Sequence, residues 1–329
     1  MPSSSATPPL ESQLPSTPAP GASVARPRFQ VLLATHNGSR WIREQMESIL
    51  VQDGVEVRVV VRDDCSRDGT RLELARFAGD DRVTVSAAAT ASGSAAQNFL
   101  TLVVDNPAGS CDFVAFADQD DHWNPDKLLV ASRMLARSGA AGYSSATLAV
   151  WEDGRKRVLG ISGAPTQADY LFEGAGQGCT FVLTAAFYER VRAFLAGHRD
   201  LTRQVHYHDW LVYALARAWG LKWWFDREPS MRYRQHAAND TGARGTADGI
   251  LRRLARIRQG WYRIQLEAIA AACAAAAPDN GTVRAWCQEF LRPDGWRRRT
   301  RLAGFCLQGG RRRTRDNLML TFAALRGWI

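Results

Sequence analysis

Three carboxylates fall within four positions at Asp118-Gln119-Asp120-Asp121, directly after the apolar run 113–117. A short apolar run of this kind reads as a buried strand, so the acids crowd a strand end. Like charges at that spacing repel one another, and the pattern asks for a cation among them. Carboxylate oxygens are hard ligands suited to Mg²⁺ or Mn²⁺, ions that keep waters and bind substrate phosphates. Holding a nucleotide diphosphate through a divalent ion is therefore chemistry this block can do; a solvated acidic loop is the plain alternative. Pro125 marks a turn or first helical position, and 127 onward reads as a helix.

The apolar patterning supplies a scaffold for these acids. Residues 28–34 read as a first strand ending at Thr35-His36-Asn37-Gly38, and 40–51 as a helix with Trp41, Ile42, Gln45, Ile49 and Leu50 near helical spacing. A second strand at 55–61 stops at Arg62-Asp63-Asp64-Cys65-Ser66-Arg67-Asp68-Gly69-Thr70. A helix at 72–77, a strand at 83–86, a helix at 98–104 and the strand at 113–117 follow. This alternation predicts an α/β fold with a mostly parallel sheet flanked by helices, whose ligands bind beyond the strand ends. Past 127 the pattern loosens. A strand at 181–183 follows Gly174-Ala175-Gly176-Gln177-Gly178-Cys179-Thr180, and an amphipathic helix runs from His208 to Trp219, stopped by Gly220. Short strands at 221–225 and 230–234 come next.

With 329 residues, 46% of them hydrophobic, the chain can bury a large core. Residues 1–27 hold seven of the thirteen prolines among Ser, Ala and Gly, which predicts a disordered tail. That tail lacks the charged start and apolar core of a signal peptide, so export is not expected. Six scattered cysteines (Cys65, Cys111, Cys179, Cys273, Cys287, Cys306) argue against a zinc site or disulfide framework and suit a reducing compartment. No apolar run is long enough to cross a bilayer. The charge is uneven: residues 241–329 contain 17 Arg against 6 Asp and Glu, a net of +11, whereas the whole chain carries +9. Arginine clusters at Arg252, Arg253, Arg256 and Arg258, at Arg297, Arg298, Arg299 and Arg301, and at Arg311, Arg312, Arg313 and Arg315 are interleaved with aromatics such as Trp261, Trp296 and Phe322. Such helices suit an anionic membrane surface, and a solvated helical face is the alternative.

Four blocks, in this order, resemble the inverting family 2 glycosyltransferases of GT-A fold: Ala34-Thr35-His36-Asn37-Gly38, Asp63-Asp64 through Thr70, Asp118 through Lys127, and Tyr233-Arg234-Gln235-His236-Ala237-Ala238-Asn239-Asp240. The likeness covers roughly two-thirds of the chain and is greatest to a bacterial branch of rhamnosyltransferases and O-antigen glycosyltransferases. It implies a Rossmann-like transferase domain at 28–242, preceded by the 1–27 tail and followed by an arginine-rich helical segment at 243–329. By this resemblance Thr35, His36 and Asn37 line the nucleotide, Asp64 accepts from the base N3–H, and Asp118 lies near the ribose. Asp120 would bind the divalent metal, Mg²⁺ or Mn²⁺. His236 completes the metal shell, touches the diphosphate or is structural, and Arg234 faces leaving-group phosphate or makes a surface pair. Two roles stay open for Asp121, an indirect part in metal binding or a helix N-cap. Asp63 and Asp68-Gly69 read as turn chemistry, and Trp123 as packing. On the acceptor side the resemblance implies Gly178, Cys179, Thr180, His208 and Trp210, with Asp209 as the general base that takes the acceptor hydroxyl proton. Adjacent helical residues point in different directions, so His208 ranks behind Asp209 as base.

The implied enzyme is cytoplasmic, peripheral on the inner face of the plasma membrane. It uses a nucleotide-diphospho-sugar, dTDP-L-rhamnose first and UDP-sugars next, to extend a glycan or lipid-linked glycan. His36 stands where Tyr is commoner and Cys65 where Gly or Asn is commoner, which bears on base and sugar preference. A nucleic-acid-binding protein would suit the basic balance but leaves the acidic block unexplained, so no nucleic-acid partner is expected. A catalytically silent scaffold fits poorly with the intact Asp64, Asp118, Asp120 and Asp209. A nucleotidyltransferase would carry a Gly-rich basic loop after the first strand in place of Thr35-His36-Asn37-Gly38.

Overall fold

The first half of the chain alternates as its patterning predicts. In the computed structural model, which describes residues 25–161, 163–236 and 257–329, the opening elements are β1 (Arg28–Thr35), α1 (Ile42–Leu50), β2 (Glu56–Asp63), α2 (Thr70–Ala75), β3 (Val83–Ala87), α3 (Ala95–Asp105) and β4 (Phe113–Ala117). These four strands lie parallel in the order β3-β2-β1-β4. Side chains of β1 alternate between two cores. Val31 and Leu33 meet Ile42, Met46 and Ile49 of α1, while Leu32 and Ala34 join the core that holds Phe99, Leu102 and Val103 of α3. Residues 1–24 of the 1–27 tail, Asn239 and Asp240, the boundary at 242/243 and Arg252, Arg253 and Arg256 lie outside the described residues.

Beyond β4 the sheet departs from expectation. The chain continues through β5 (His122–Trp123), α4 (Lys127–Ser138), β6 (Gly142–Trp151), β7 (Lys156–Leu159), β8 (Val182–Thr184), α5 (Ala185–Gly197), α6 (Arg199–Thr202), α7 (His208–Ala218) and β9 (Trp223–Gln235). The full order is β3-β2-β1-β4-β8-β6-β9-β5, with β7 on the side of β6. Antiparallel pairing joins β4 to β8, β8 to β6, β6 to β7 and β9 to β5, so only four of the eight pairings are parallel. The mostly parallel, Rossmann-like sheet is thus corrected to a nine-stranded mixed sheet. The cause is local. The turn after Trp151, with Gly154 at φ +83°, sends β7 straight back along β6, and so short a connection permits antiparallel pairing alone. In place of two short strands, β9 is one 13-residue strand whose pairing with β6 shifts register at Ser145/Ala146 and Ala146/Leu148.

From Trp261 onward four helices follow: α8 (Trp261–Ala276), α9 (Gly281–Leu291), α10 (Trp296–Leu307) and α11 (Thr314–Leu325). Leu266, Ile269 and Cys273 of α8 share one core with Leu211 and Leu215 of α7, and Phe290, Leu302 and Ile329 belong to it too. Several arginines of this segment face inward. Arg298, 3% exposed, donates to the backbone oxygens of Ile329 (2.8 Å) and Phe290 (3.1 Å). Arg311 pairs with Glu173 (2.9 Å) and Arg312 with Asp169 (2.6 Å). Arg258, Arg297, Arg301, Arg313 and Arg315 are exposed. Among the described residues no helix is long and apolar enough to cross a membrane.

Candidate active site

Loops leaving the C-terminal ends of β1, β2 and β4 meet at one edge of the sheet, the place where open α/β sheets receive ligands. In the first loop, the Thr35 hydroxyl and the His36 amide both donate to Gln119 Oε1 (2.6 and 2.8 Å), and Gln119 Nε2 donates back to the His36 carbonyl (3.1 Å). Gln119, between two acids of the third loop, therefore ties that loop to the first. A Cβ on Gly38 would stand 2.4 Å from Gln119 Oε1 and push that amide off its bonds to Thr35 and His36. His36 Nδ1–H donates to the Asp64 carbonyl (2.7 Å), which leaves Nε2 to accept from Asn37 Nδ2 (3.0 Å) and defines a neutral tautomer. Asn37 sits at φ 50°, a left-handed conformation Asn tolerates, with its amide donating to Ser66 Oγ (2.8 Å).

The second loop separates its carboxylates by task. Asp63 is buried and accepts from the Ser66 amide (3.2 Å) and Arg71 Nε (2.7 Å). Burial alone would raise the pKa of Asp68, but bonds from Thr70 and Ser39 outweigh it and lower it to about 2. Both are turn chemistry. On Asp64, Oδ1 accepts from the Ser92 amide (2.8 Å) and Arg62 (3.2 Å), whereas Oδ2 accepts, among the described residues, from the Ser92 hydroxyl (2.7 Å) alone. Ser92 carries no signal of its own in the sequence, where it lies among alanines and small polar residues.

The third loop meets the end of β9. His236 Nε2 lies 2.8 Å from Asp120 Oδ2, and the imidazole stacks on Trp41 at 4.1 Å. Arg234 pairs with Glu44 (2.5 Å). Asp121 is fully buried, and neither of its oxygens has a well-formed hydrogen bond among the described residues. Burial, and then the charges of Asp120 and Asp118, push its pKa well above the usual carboxylate range, against the nearby Cys179 thiol and Arg234 amide. Ligand atoms of Asp118, Asp121 and Cys179 lie within 4.8 Å of one another, close enough to hold one metal ion. Burial, and then Asp121 and Asp118, also raise the Cys179 pKa, so this thiol stays protonated and is the weakest ligand of the three. Sequence reading passed over Lys127, whose buried ammonium lies 4.2 Å over the Trp123 ring and is lowered to about 8 by burial. Trp123 itself is core.

Beside the third loop, Gly178, Cys179 and Thr180 form a single helical turn. A Cβ on Gly178 would lie 2.8 Å from His208 Nε2 and 3.0 Å from Asp209 Cβ, so the turn rests directly on the head of α7. Asp209 lies in the first turn of α7, its Oδ1 accepting from the Trp210 amide at 2.7 Å. His208 turns inward onto Phe99 at 4.0 Å, and burial lowers its pKa to about 3. Trp210 also packs into the core, donating its indole N–H to the Tyr170 carbonyl (2.8 Å). The structure thus brings Gly178 onto His208 and Asp209, while the His208 and Trp210 rings lie behind the surface.

Residues 30–234 match Glycosyl transferase family 2. The chain belongs to that family. Among relatives, "dTDP-rhamnosyl transferase RfbG" of Shigella flexneri is 34% identical over 74% of this chain and 84% of its own length. "UDP-Glc:alpha-D-GlcNAc-diphosphoundecaprenol beta-1,3-glucosyltransferase WfgD" of Escherichia coli is 27% identical over 46% of this chain and 58% of its own. Of solved structures, S. aureus TarS 1–349 superposes with a TM-score of 0.55 at 17% identity, covering 91% of this chain and 81% of that one. The family 2 protein is a glycosyltransferase that uses a nucleotide-sugar donor and a glycan acceptor.

Proposed function

We propose that the protein is a metal-dependent inverting glycosyltransferase whose donor carries a uracil or thymine nucleotide. The observation that carries this reading is the 2.8 Å approach of His236 Nε2 to Asp120 Oδ2 beside Asp118. The two side chains are hydrogen-bonded to each other here, and together they would hold a Mg²⁺ or Mn²⁺ ion at the mouth of the acidic loop. Carboxylates with one imidazole form a donor set that would fit such an ion, and the buried Asp121 carboxylate converges with Cys179 on the same Asp118. When bound, the ion neutralises charge developing on the departing diphosphate.

The roles of the remaining residues follow from their loops. Thr35, His36 and Asn37 line the nucleotide, and Asp118 lies toward the ribose. Asp64 reads the base: its Oδ2 takes one donor and keeps a lone pair for the N3–H that uracil and thymine share. Arg234, paired with Glu44, would exchange that partner for the leaving phosphate. The acceptor hydroxyl attacks the anomeric carbon opposite the diphosphate, which departs with the bonding electrons, and the Asp209 carboxylate takes the hydroxyl proton. Gly178, Cys179 and Thr180 border the acceptor.

UDP-sugars and dTDP-L-rhamnose both meet this requirement. UDP-glucose is named for the E. coli relative, and a dTDP-rhamnosyl activity for the S. flexneri one. The acceptor we propose is a surface glycan, growing or lipid-linked, and the place of action the inner face of the plasma membrane; the diphosphoundecaprenol in the E. coli relative's name supports this. Calorimetric binding of UDP, dTDP and GDP with Mn²⁺, followed by nucleoside diphosphate release from the matching sugars, tests the reading. Binding of UDP or dTDP that requires the ion and is lost in Asp120→Ala supports it; a protein that binds GDP alone contradicts it.

A further inference from the structure

The last helix, α11, is apolar on both sides. Its inner face buries Asn317, Leu320, Ala323 and Ala324. Its outer face leaves Leu318 59%, Met319 43%, Phe322 56% and Leu325 40% exposed. A helix with apolar residues all round is normally covered all round. At 100° per residue these four side chains fall in one arc of about 120°, together with Arg315 near the start of the helix and Arg326 just past its end. Arg315, Arg326 and the neighbouring Arg313 are exposed. The one acid of the helix, Asp316, turns to Arg311 at 3.9 Å. An apolar stripe edged by cations and free of acids is complementary to one surface above others, the headgroup boundary of an anionic bilayer.

We infer that the outer face of α11 is a membrane-docking face. Four apolar side chains enter the interface and Arg313, Arg315 and Arg326 meet anionic headgroups. Arg298, Arg311 and Arg312 of the expected membrane contact are spent on internal bonds, whereas Arg313, Arg315 and Arg326 stay beside an apolar face. The helix is also tied to the acceptor side. Arg312, two residues before α11, donates to the Gly174 carbonyl (2.7 Å) and to Asp169, on the segment that leads into Gly178. Docking would therefore hold the acceptor turn at a fixed height above the lipid, which rests on the proposed lipid-linked acceptor.

Flotation of the full chain with phosphatidylcholine vesicles, with and without phosphatidylglycerol, tests the face. Recovery is expected with anionic vesicles and should fall as salt rises. Leu318→Gln combined with Phe322→Glu should lower partition about tenfold or more. Arg315→Gln with Arg326→Gln should lower it about fivefold per arginine at low salt. Unchanged melting of both variants separates docking from folding. Nucleoside diphosphate release with a soluble acceptor should be equal in all three proteins, so loss of docking and loss of transferase function are read separately. Equal flotation of wild type and the Leu318/Phe322 variant, or no flotation on anionic vesicles, overturns the inference. So does a wild-type dimer in the absence of lipid that the variant cannot form, which would assign the face to a second copy.

Discussion

His236 Nε2 lies 2.8 Å from Asp120 Oδ2 although 116 residues separate them. Strand β9 makes the meeting possible by pairing with β5, where Arg232 stands opposite His122, so the end of β9 passes the acidic loop. Trp41 stacks on the imidazole and holds its plane. If the pair ligates one ion, Asp120→Asn should lower kcat about 10²–10⁴-fold. His236→Ala should raise the Mn²⁺ concentration needed for nucleotide binding at least about tenfold, with recovery at excess metal. Calorimetric Mn²⁺ titration in the presence of nucleoside diphosphate reads both, and identical curves for wild type and His236→Ala would remove His236 from the metal.

Asp209→Asn isolates the proposed proton acceptor. The amide oxygen can still accept from the Trp210 amide, as Oδ1 does at 2.7 Å, so the head of α7 should keep its form. Loss of a general base predicts a kcat about 10²–10⁴-fold lower with donor affinity unchanged. Steady-state kinetics beside donor titration separates the two quantities; a variant that turns over normally would remove Asp209 from the proton transfer.

Gly38 and Gln119 should behave as a coupled pair. A Cβ at position 38 meets Gln119 Oε1 at 2.4 Å, and that oxygen holds both Thr35 and His36. Gly38→Ala should weaken nucleotide binding by about 1–3 kcal/mol through displacement of the amide. Gln119→Ala loses the same tie directly. The double variant should cost clearly less than the two single costs added, since each removes one interaction. Strict additivity in the binding cycle would refute the coupling.

Asp169 is fully buried between Arg312 (2.6 Å), Arg217 (2.8 Å) and the Tyr213 hydroxyl (2.9 Å). Arg312→Met leaves that carboxylate under-compensated and should destabilise by about 3–5 kcal/mol. Adding Asp169→Asn should recover part of the loss. Urea unfolding measures both, and a single variant as stable as wild type would show the pair to be incidental.

The legible parts of the molecule were those with a local period or a block of chemistry. Strands β1 to β4 are short apolar runs punctuated by Asp, Asn and Gly, and helices lie between them, so their order could be read directly. Strand β6 escaped because Gly142-Tyr143-Ser144-Ser145-Ala146-Thr147 is buried on both faces yet built from small and polar residues. Two of its hydroxyls are satisfied internally, Ser144 on the Ala175 carbonyl and Ser145 on Ser230, a tertiary fact without local signature. With β6 and its hairpin unseen, antiparallel pairing could not be foreseen. In the site, Gln119 stood in plain view between two acids, but its role depends on the approach of Gly38 from another strand. Ser92 and Lys127 act through contacts 28 and 53 residues away, with Asp64 and Thr180.

His208 offers a test of burial by acid. Its ring lies against Phe99 at 4.0 Å, and burial lowers its pKa from the ordinary 6.5 to about 3. Between those values the unfolded chain takes up a proton that the folded chain refuses. The stability contribution is therefore complete above pH 6.5 and is lost as the pH falls toward 3. By about pH 4.5 the loss should reach roughly 2–3 kcal/mol. His208→Gln removes this titration, so its stability should fall less steeply than that of wild type over the same interval. Urea unfolding of both proteins at several pH values gives the two slopes, and parallel slopes would mean that the imidazole reaches solvent. An imidazole held near 3 is also a feeble proton acceptor at neutral pH, and one facing Phe99 is turned away from an incoming hydroxyl. Of the two neighbours at the head of α7, Asp209 is therefore the one equipped to take the proton.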